Sequence, residues 1–250
     1  MKITKKTDSG IYLPYDGILI PTATTSNLTC LPLDTVFNAD FRTMDLSTWN
    51  DCFFISDPPY NQNYHYDYYD DNLKNDEYVQ LLHDAFWGKK SAIIHYPEPT
   101  INLLPQALMT SCTESAFWCY NSNTKKQSRQ ITFWNHRPDF KRASQPYKNP
   151  NDKRIIARME AGHMAPLYDW WIENIVKNVS KIKSGNPHPC PIPEEIARKI
   201  ILISTNPGDV VVDPFAGSGT ICKVAKELGR FYIGFEIDPV YFQYMKSIGL

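Results

Sequence analysis

Val210-Val211-Val212-Asp213-Pro214-Phe215-Ala216-Gly217-Ser218-Gly219-Thr220 is the stretch from which the fold is read. Three consecutive β-branched apolar residues closed by an acid mark a short strand buried on both faces. The two glycines allow a tight turn and let backbone amides approach a ligand at a helix N-terminus. Val224, Ala225 and Leu228 then recur at helical spacing, and Gly229-Arg230 turns the chain into Phe231-Tyr232-Ile233-Gly234-Phe235. That second strand ends at Glu236-Ile237-Asp238, with Glu236 lying 17 positions beyond Gly219. A carboxylate at this place is set to accept from ribose hydroxyls. The unit is therefore βαβ. The third glycine of the dinucleotide fingerprint is missing, and two strands do not make a sheet, so the others must come from upstream.

Upstream, Thr35-Val36-Phe37-Asn38-Ala39-Asp40 reads as a short strand ending in an acid, and Cys52-Phe53-Phe54-Ile55 as a buried strand. A helix capped by Asn75 carries Tyr78, Leu81, Leu82, Ala85 and Phe86, and Gly88 stops it. Ser91-Ala92-Ile93-Ile94-His95 is a further strand, and Ile101 to Met109 is helical again. Strand, helix, strand, helix argues for an α/β fold with a doubly wound, mostly parallel sheet.

The strand at Ile55 runs into Asp57-Pro58-Pro59-Tyr60. Open α/β sheets bind ligands at that strand end. The prolines hold the backbone extended and remove two N–H donors, which leaves carbonyl oxygens facing the pocket. Asp57 adds a carboxylate acceptor and Tyr60 a flat aromatic face. The group this suits is planar and carries an NH2: two acceptors for its hydrogens and a ring to stack on. The same residues also read as a proline-rich turn with a capping Asp.

The chain has 250 residues, of which 42% are hydrophobic and 21% charged, enough for one large domain or one domain with an insertion. No apolar run approaches the ~20 residues that cross a bilayer, and the start leads into no apolar signal core. Six cysteines without a C-x-x-C pair argue against zinc and against a disulfide framework, which points to reduced thiols and a cytoplasmic setting. No metal is expected, although the acids among the tyrosines of residues 61–73 allow a carboxylate site to be conceived there. That stretch has no period and reads as a mobile active-site loop.

The formal charge of −1 hides an asymmetry. Residues 40–84 hold ten acids against Arg42 and Lys74, whereas residues 121–160 hold ten cations against three acids. Such an excess calls for a polyanion partner, with a solvated surface as the plain alternative. Residues 111–184 also lose the strand–helix alternation. Trp118, Tyr120, Phe133, Trp134, Tyr147, Trp170 and Trp171 are interleaved with the cations there, and we read an insertion with its own irregular structure. The resulting division is an N-terminal extension over 1–33 carrying a strand or hairpin, one half-domain over 34–110, the insertion over 111–187 and the glycine-turn half over 188–250.

Asp57-Pro58-Pro59-Tyr60, followed later by the Asp213-to-Thr220 turn, resembles the amino-methylating DNA methyltransferases of the β arrangement, in which the catalytic motif precedes the S-adenosylmethionine (SAM) motif. His188-Pro189-Cys190-Pro191-Ile192-Pro193, leading into a helix and Asn206-Pro207-Gly208-Asp209, resembles the family's methionine-side motif. Gly234 to Phe242 resembles its ribose motif, and Asn38-Ala39-Asp40-Phe41 its adenine-side motif, displaced to the front. The resemblance covers most of 34–110 and 188–245. It implies a circularly permuted, Rossmann-like methyltransferase sheet with an inserted DNA target-recognition region. Asp57, Pro58, Pro59 and Tyr60 would be catalytic. Asp40, Phe41, Asp213, Phe215, Gly217, Ser218, Gly219, Thr220, Glu236 and Asp238 would hold SAM, released as S-adenosylhomocysteine. Lys125, Lys126, Arg129, Arg137, Lys141 and Arg142 would touch double-stranded DNA, with Arg129, Arg137 and Arg142 as candidate guanine readers.

The reaction so implied is site-specific methylation of N6 of a flipped adenine. In this family a Ser usually opens the cytosine-N4 version of the motif, so Asp57 favours adenine over cytosine N4. Cytosine C5 would use Pro189-Cys190 and leave Asp57 to Tyr60 unexplained. RNA or protein amine methylation would more often carry Asn at the first motif position. A non-catalytic SAM- and DNA-binding regulator is the remaining alternative. A second copy of the chain and a cognate restriction endonuclease are candidate partners, on which the sequence is silent.

Overall fold

The computed structural model describes residues 4–6, 12–14, 31–122, 125–176 and 187–250. Its centre is an eight-stranded sheet. In chain order the strands are β3 (Thr35–Asn38), β4 (Phe53–Ser56), β5 (Lys90–His95), β6 (Glu114–Cys119), β7 (Ser128–Trp134), β10 (Trp170–Ile172), β11 (Val210–Asp213) and β12 (Phe231–Glu236). Their spatial order is β10-β6-β7-β5-β4-β11-β12-β3. Every pairing is parallel except the two that β7 makes, with β5 and β6, so β7 alone runs against the rest. A second, small sheet joins β1 (Thr4–Lys6), β2 (Tyr12–Pro14), β8 (Ser144–Gln145) and β9 (Ala165–Pro166). β1 and β2 pair antiparallel; the residues between them and the apolar piece Ile18-Leu19-Ile20 lie outside the described residues.

Period-2 alternation along the central strands feeds two separate cores. Phe53, Ile55, Ala92, Ile94 and Val211 face one side. There they meet α5 (Glu194–Ser204) through Ile196, Ile200 and Ile203, and α6 (Thr220–Glu227) through Ile221, Val224 and Ala225. Phe54, Ile93, Val210, Val212, Ile233 and Phe235 face the other side. They pack on α1 (Asn75–Phe86) through Tyr78, Leu81, Leu82 and Phe86, and on α3 (Leu104–Leu108), which follows α2 (Pro97–Asn102). The chain leaving β4 thus passes over one face and the chain leaving β11 over the other. These strands are neighbours, so a crevice opens between their C-terminal ends, the switch point at which such sheets bind ligands.

The sequence reading needs correction over residues 111–134. The insertion expected there is in part sheet: β6 and β7 complete the central layer. Trp118, Phe133, Trp134 and Trp171 are 0–1% exposed and belong to the two cores, not to a nucleic-acid surface. The alternation was hidden because β6 and β7 pair as an antiparallel hairpin, with no helix between them. The stretch after β7 is less regular and holds β8, α4 (Lys153–Glu160) and β9.

Candidate active site

Asp57 and Asp213 stand at the ends of the two strands that flank the switch point. Asp213 is 2% exposed; its Oδ1 accepts from Ser56 Oγ at 2.6 Å and from the Phe215 amide at 3.1 Å. One buried carboxylate therefore fastens the end of β4 to the start of the glycine turn. Burial pushes its pKa up to about 7, against the pull of the Ser56 and Phe215 bonds.

A cleft opens beside Asp57. Its walls include Asp40, Phe41, Pro59, Phe215, Gly217, Glu236 and Asp238, together with Tyr66, Tyr68 and Tyr69. A smaller pocket is lined by Asp213, Ser218, Thr220 and Cys190. Asp57, His188, Phe215 and Gly217 line both, so Asp57 stands where the two meet. Gly217 has φ +54, and a Cβ there would sit 3.1 Å from the His188 ring. A side chain at 217 would therefore crowd the junction. Gly219 lines neither pocket: a Cβ there would run into Leu250 and Met245 at 2.6 and 2.8 Å. Its bareness serves the packing of α7 (Pro239–Ser247) and the C-terminal residues.

The remaining acids are already engaged. Glu236 accepts from the Gly217 amide at 2.7 Å and the Asp238 amide at 2.8 Å, and burial raises its pKa to about 7. Asp238 caps α7 through the Val240 amide. Asp40 takes a bidentate bond from Arg42, the shortest distance being 2.6 Å, so its carboxylate reaches the cleft as half of an ion pair. Phe41 meets Phe215 edge to face at 5.2 Å.

Asp57 is held from two sides. Tyr60 Oη donates to Oδ1, and Arg129 Nη1 lies 3.2 Å from Oδ2. The Tyr60 ring lies 4.8 Å from His95 and 4.9 Å from Tyr96. The expectation that carbonyl oxygens of this motif face the pocket fails at Pro59, whose O accepts from Tyr78 Oη at 2.7 Å. Tyr78 Oη is also 2.7 Å from His95 Nε2, and the Tyr96 amide donates to His95 Nδ1 at 2.8 Å. Nδ1 is thus the acceptor and Nε2 carries the proton. The relay runs Tyr96 N–H to His95, His95 Nε2–H to Tyr78, and Tyr78 O–H to Pro59 O. Burial, with Arg129 and Lys126 nearby, lowers the His95 pKa to about 3, so the ring stays neutral. Sequence reasoning missed His95 and Tyr78; both looked like ordinary core positions of a strand and a helix.

The loop over 61–73 is more ordered than expected. Asp71, 3% exposed, accepts from the amides of Asn61, Gln62 and Tyr64 at 2.8–2.9 Å. Asn61 closes the other end with bonds to and from the Leu73 backbone at 2.9 and 2.7 Å. Asp71 thus ties backbone; among the described residues no group of His, Cys, Asp or Glu side chains is set to hold a metal ion.

The expected DNA contacts divide. Lys125, Arg137 and Lys141 are exposed. The Lys126 ammonium lies over the Tyr96 ring at 3.9 Å, with Glu98 also 3.9 Å away. Arg142 donates to Thr205 O and to Asn206 Oδ1, the latter at 2.8 Å, so its guanidinium serves the turn before β11 and is no longer a candidate reader of guanine. Arg129 is 6% exposed and turned to Asp57, which rules it out as a base-reading finger. Its place in a run of cations suggested surface, whereas its position on β7 turns it inward. Helix α4 is a further cationic element of this region. No residue of it is buried, and it presents Lys153, Arg154 and Arg158 beside exposed Ile156 and Met159.

Residues 83–247 match the family model described as DNA methylase, of the N6/N4 type. The type II methyltransferase M.HpaI of Haemophilus parainfluenzae is 27% identical over 214 residues, covering 77% of this chain and 66% of that protein. The type II methyltransferase M2.DpnII of Streptococcus pneumoniae is 43% identical over 75 residues, 30% of this chain and 27% of that protein. The chain thus spans about two thirds of the length of one relative and about a quarter of the other. Among solved structures, the M1.HpyAVI–SAM complex superposes with a TM-score of 0.51 at 22% identity, over 85% of this chain and 98% of that one. The cytosine-N4-specific PvuII DNA methyltransferase superposes with a TM-score of 0.58 at 16% identity, over 80% of each chain.

Proposed function

Since this chain belongs to the N6/N4 DNA methylase family, we propose that it transfers a methyl group from SAM to the exocyclic N6 of an adenine flipped out of duplex DNA. One observation carries this reading: Asp57 lines both connected pockets, at the place where an amine and a methyl donor would have to meet. The cleft fits the donor in character, being concave and predominantly apolar in its lining as small-molecule sites are. It also fits in chemistry: Glu236 and Asp238 offer acceptors for ribose hydroxyls, Phe41 and Phe215 an aromatic wall for adenine, and the bare Gly217 leaves room at the junction. Bound there, SAM supplies an electrophilic methyl on a sulfonium, open to direct in-line displacement by an amine.

The chain's own residues have three tasks. Asp57 and the Pro58 carbonyl accept the two amine hydrogens. This draws the nitrogen lone pair out of ring conjugation and stabilises the positive charge that grows on nitrogen. Tyr60 stacks on the base. The walls hold amine and methyl in line, the proximity contribution. We read the order of the motifs as the permuted β arrangement and the region around α4 as the duplex contact, with Lys125, Arg137 and Lys141 as phosphate ligands.

Asp57 favours adenine, and the fold likeness to a cytosine-N4 enzyme keeps N4 of cytosine as the second reading. Incubation with methyl-labelled SAM and duplex DNA separates them. Label should appear in adenine, and Asp57→Ala should abolish it while SAM still binds. Label confined to cytosine would overturn the adenine assignment; no label on any sequence, with DNA still bound, would favour a regulator.

A further inference from the structure

Arg129 is an unusual residue to bury. It is 6% exposed, and its Nε has no hydrogen-bond partner. Its guanidinium lies 4.8 Å from the ring centroids of both Tyr60 and Trp118, 5.7 Å from Tyr96 and 5.9 Å from Tyr120. Aromatic faces compensate part of the desolvation. Even so, a buried ion pair replaced by well-packed apolar groups usually loses little stability or gains some. Packing alone therefore does not account for the charge. What the charge touches does: Nη1 lies 3.2 Å from Oδ2 of Asp57, whose own side chain is only 17% exposed. Arg129 lines neither pocket, so it approaches Asp57 from behind.

We propose that Arg129 is the positioning residue for methyl transfer, holding Asp57 as a fixed carboxylate so that it meets the base amine as an acceptor. The inference rests on the reading of Asp57 given above. A neutral carboxyl would carry a proton on one oxygen and turn a donor toward an amine that is itself donating. The other groups around Asp57 do not hold it ionised by charge. Tyr60 in its own motif, Tyr66 of the following loop, Tyr78 on α1 and His95 on β5 are neutral, and Asp213 at the end of β11 acts in the opposite sense. Burial raises the Asp57 pKa; Arg129 opposes that rise by its charge, and the Tyr60 hydrogen bond opposes it to a smaller extent.

The test is turnover at saturating SAM and DNA between pH 6 and 9, for the wild type, R129Q and R129K. The wild type sets the baseline, which includes the titrations of Asp213 and Glu236 near pH 7. R129Q should lose roughly a hundredfold or more at pH 7 and recover by about tenfold per pH unit as the pH rises toward the raised Asp57 pKa. R129K should be intermediate and flatter, and both variants should bind SAM within about threefold of wild type, as expected of a residue outside the cofactor contacts. Wild-type turnover in R129Q would overturn the proposal. So would an equal, pH-independent loss in both variants, which marks a merely structural role. If R129Q fails to fold, judged by lost SAM affinity, R129K decides alone: a partly active profile that follows the wild-type pH dependence supports the proposal, and a folded, inactive enzyme at every pH overturns it. Were Asp57→Ala to keep transferring methyl, it is the underlying reading of Asp57 that would fall.

Discussion

At the scale of single residues, the site is held by hydrogen bonds whose direction can be assigned. Tyr78 has one hydroxyl proton and gives it to Pro59 O; its oxygen accepts from His95 Nε2. Tyr78→Phe keeps the ring in its core position and removes both bonds. It strands a carbonyl and a ring N–H, a cost of roughly 1–3 kcal/mol in stability when such groups stay buried. Because the released carbonyl belongs to the motif that meets the base, turnover should fall by about tenfold while SAM affinity stays put, the pattern of a lost transition-state contact. Stopped-assay methylation and a SAM titration check both halves. A variant weakened only in SAM binding would contradict the relay.

At the scale of elements, the loop over 61–73 is organised around an acid. Three amides of residues 61–64 converge on Asp71, and the loop carries Tyr66, Tyr68 and Tyr69 into the cleft wall. Asp71→Ala leaves these N–H groups to water or unpaired, so the loop should open locally while the two cores stay intact. Amide hydrogen exchange should rise over residues 61–73 with little change over β4 and β11, and SAM should bind more weakly. Exchange unchanged in the loop would show that packing of the tyrosines holds it instead. The sequence signal for this element misled because it is aperiodic. Aperiodic chain reads as mobile, yet one buried carboxylate accepting several backbone amides fixes a loop without any repeating pattern.

At the scale of the whole molecule, the two halves of the site come from distant parts of the chain and are joined at Asp213, which bonds Ser56 across 157 positions. Burial holds the Asp213 pKa up to about 7, well above its value in an unfolded chain. Between roughly pH 4 and 7 the folded state then keeps a proton that the unfolded state has released. The contribution of this group to stability therefore falls as pH rises through that window and levels off above it. Asp213→Asn keeps an oxygen for Ser56 and the Phe215 amide but cannot titrate. Measured by denaturant unfolding at pH 5 and pH 7, the wild type should lose stability relative to this variant on going to the higher pH. An unchanged difference would mean that Asp213 is not protonated in the fold.

Local chemistry alone determined a good deal. The apolar runs at 53–55, 91–94, 210–212 and 231–235 announced strands covered on both faces, since only a doubly covered sheet leaves a strand without polar alternation. The proline pair after Asp57 and the glycines after Asp213 announced the two strand ends where a ligand approaches, since each imposes a particular backbone. Only the tertiary structure decided what depends on long-range pairing. That β6 and β7 join the sheet, that Arg129 points inward to Asp57 while Ser128 and Gln130 beside it are only half-buried, and that His95 and Tyr78 brace Pro59 are set by strand register and by which face a residue occupies. A shift of one residue reverses that face, and no local pattern around Arg129 records which way it turned.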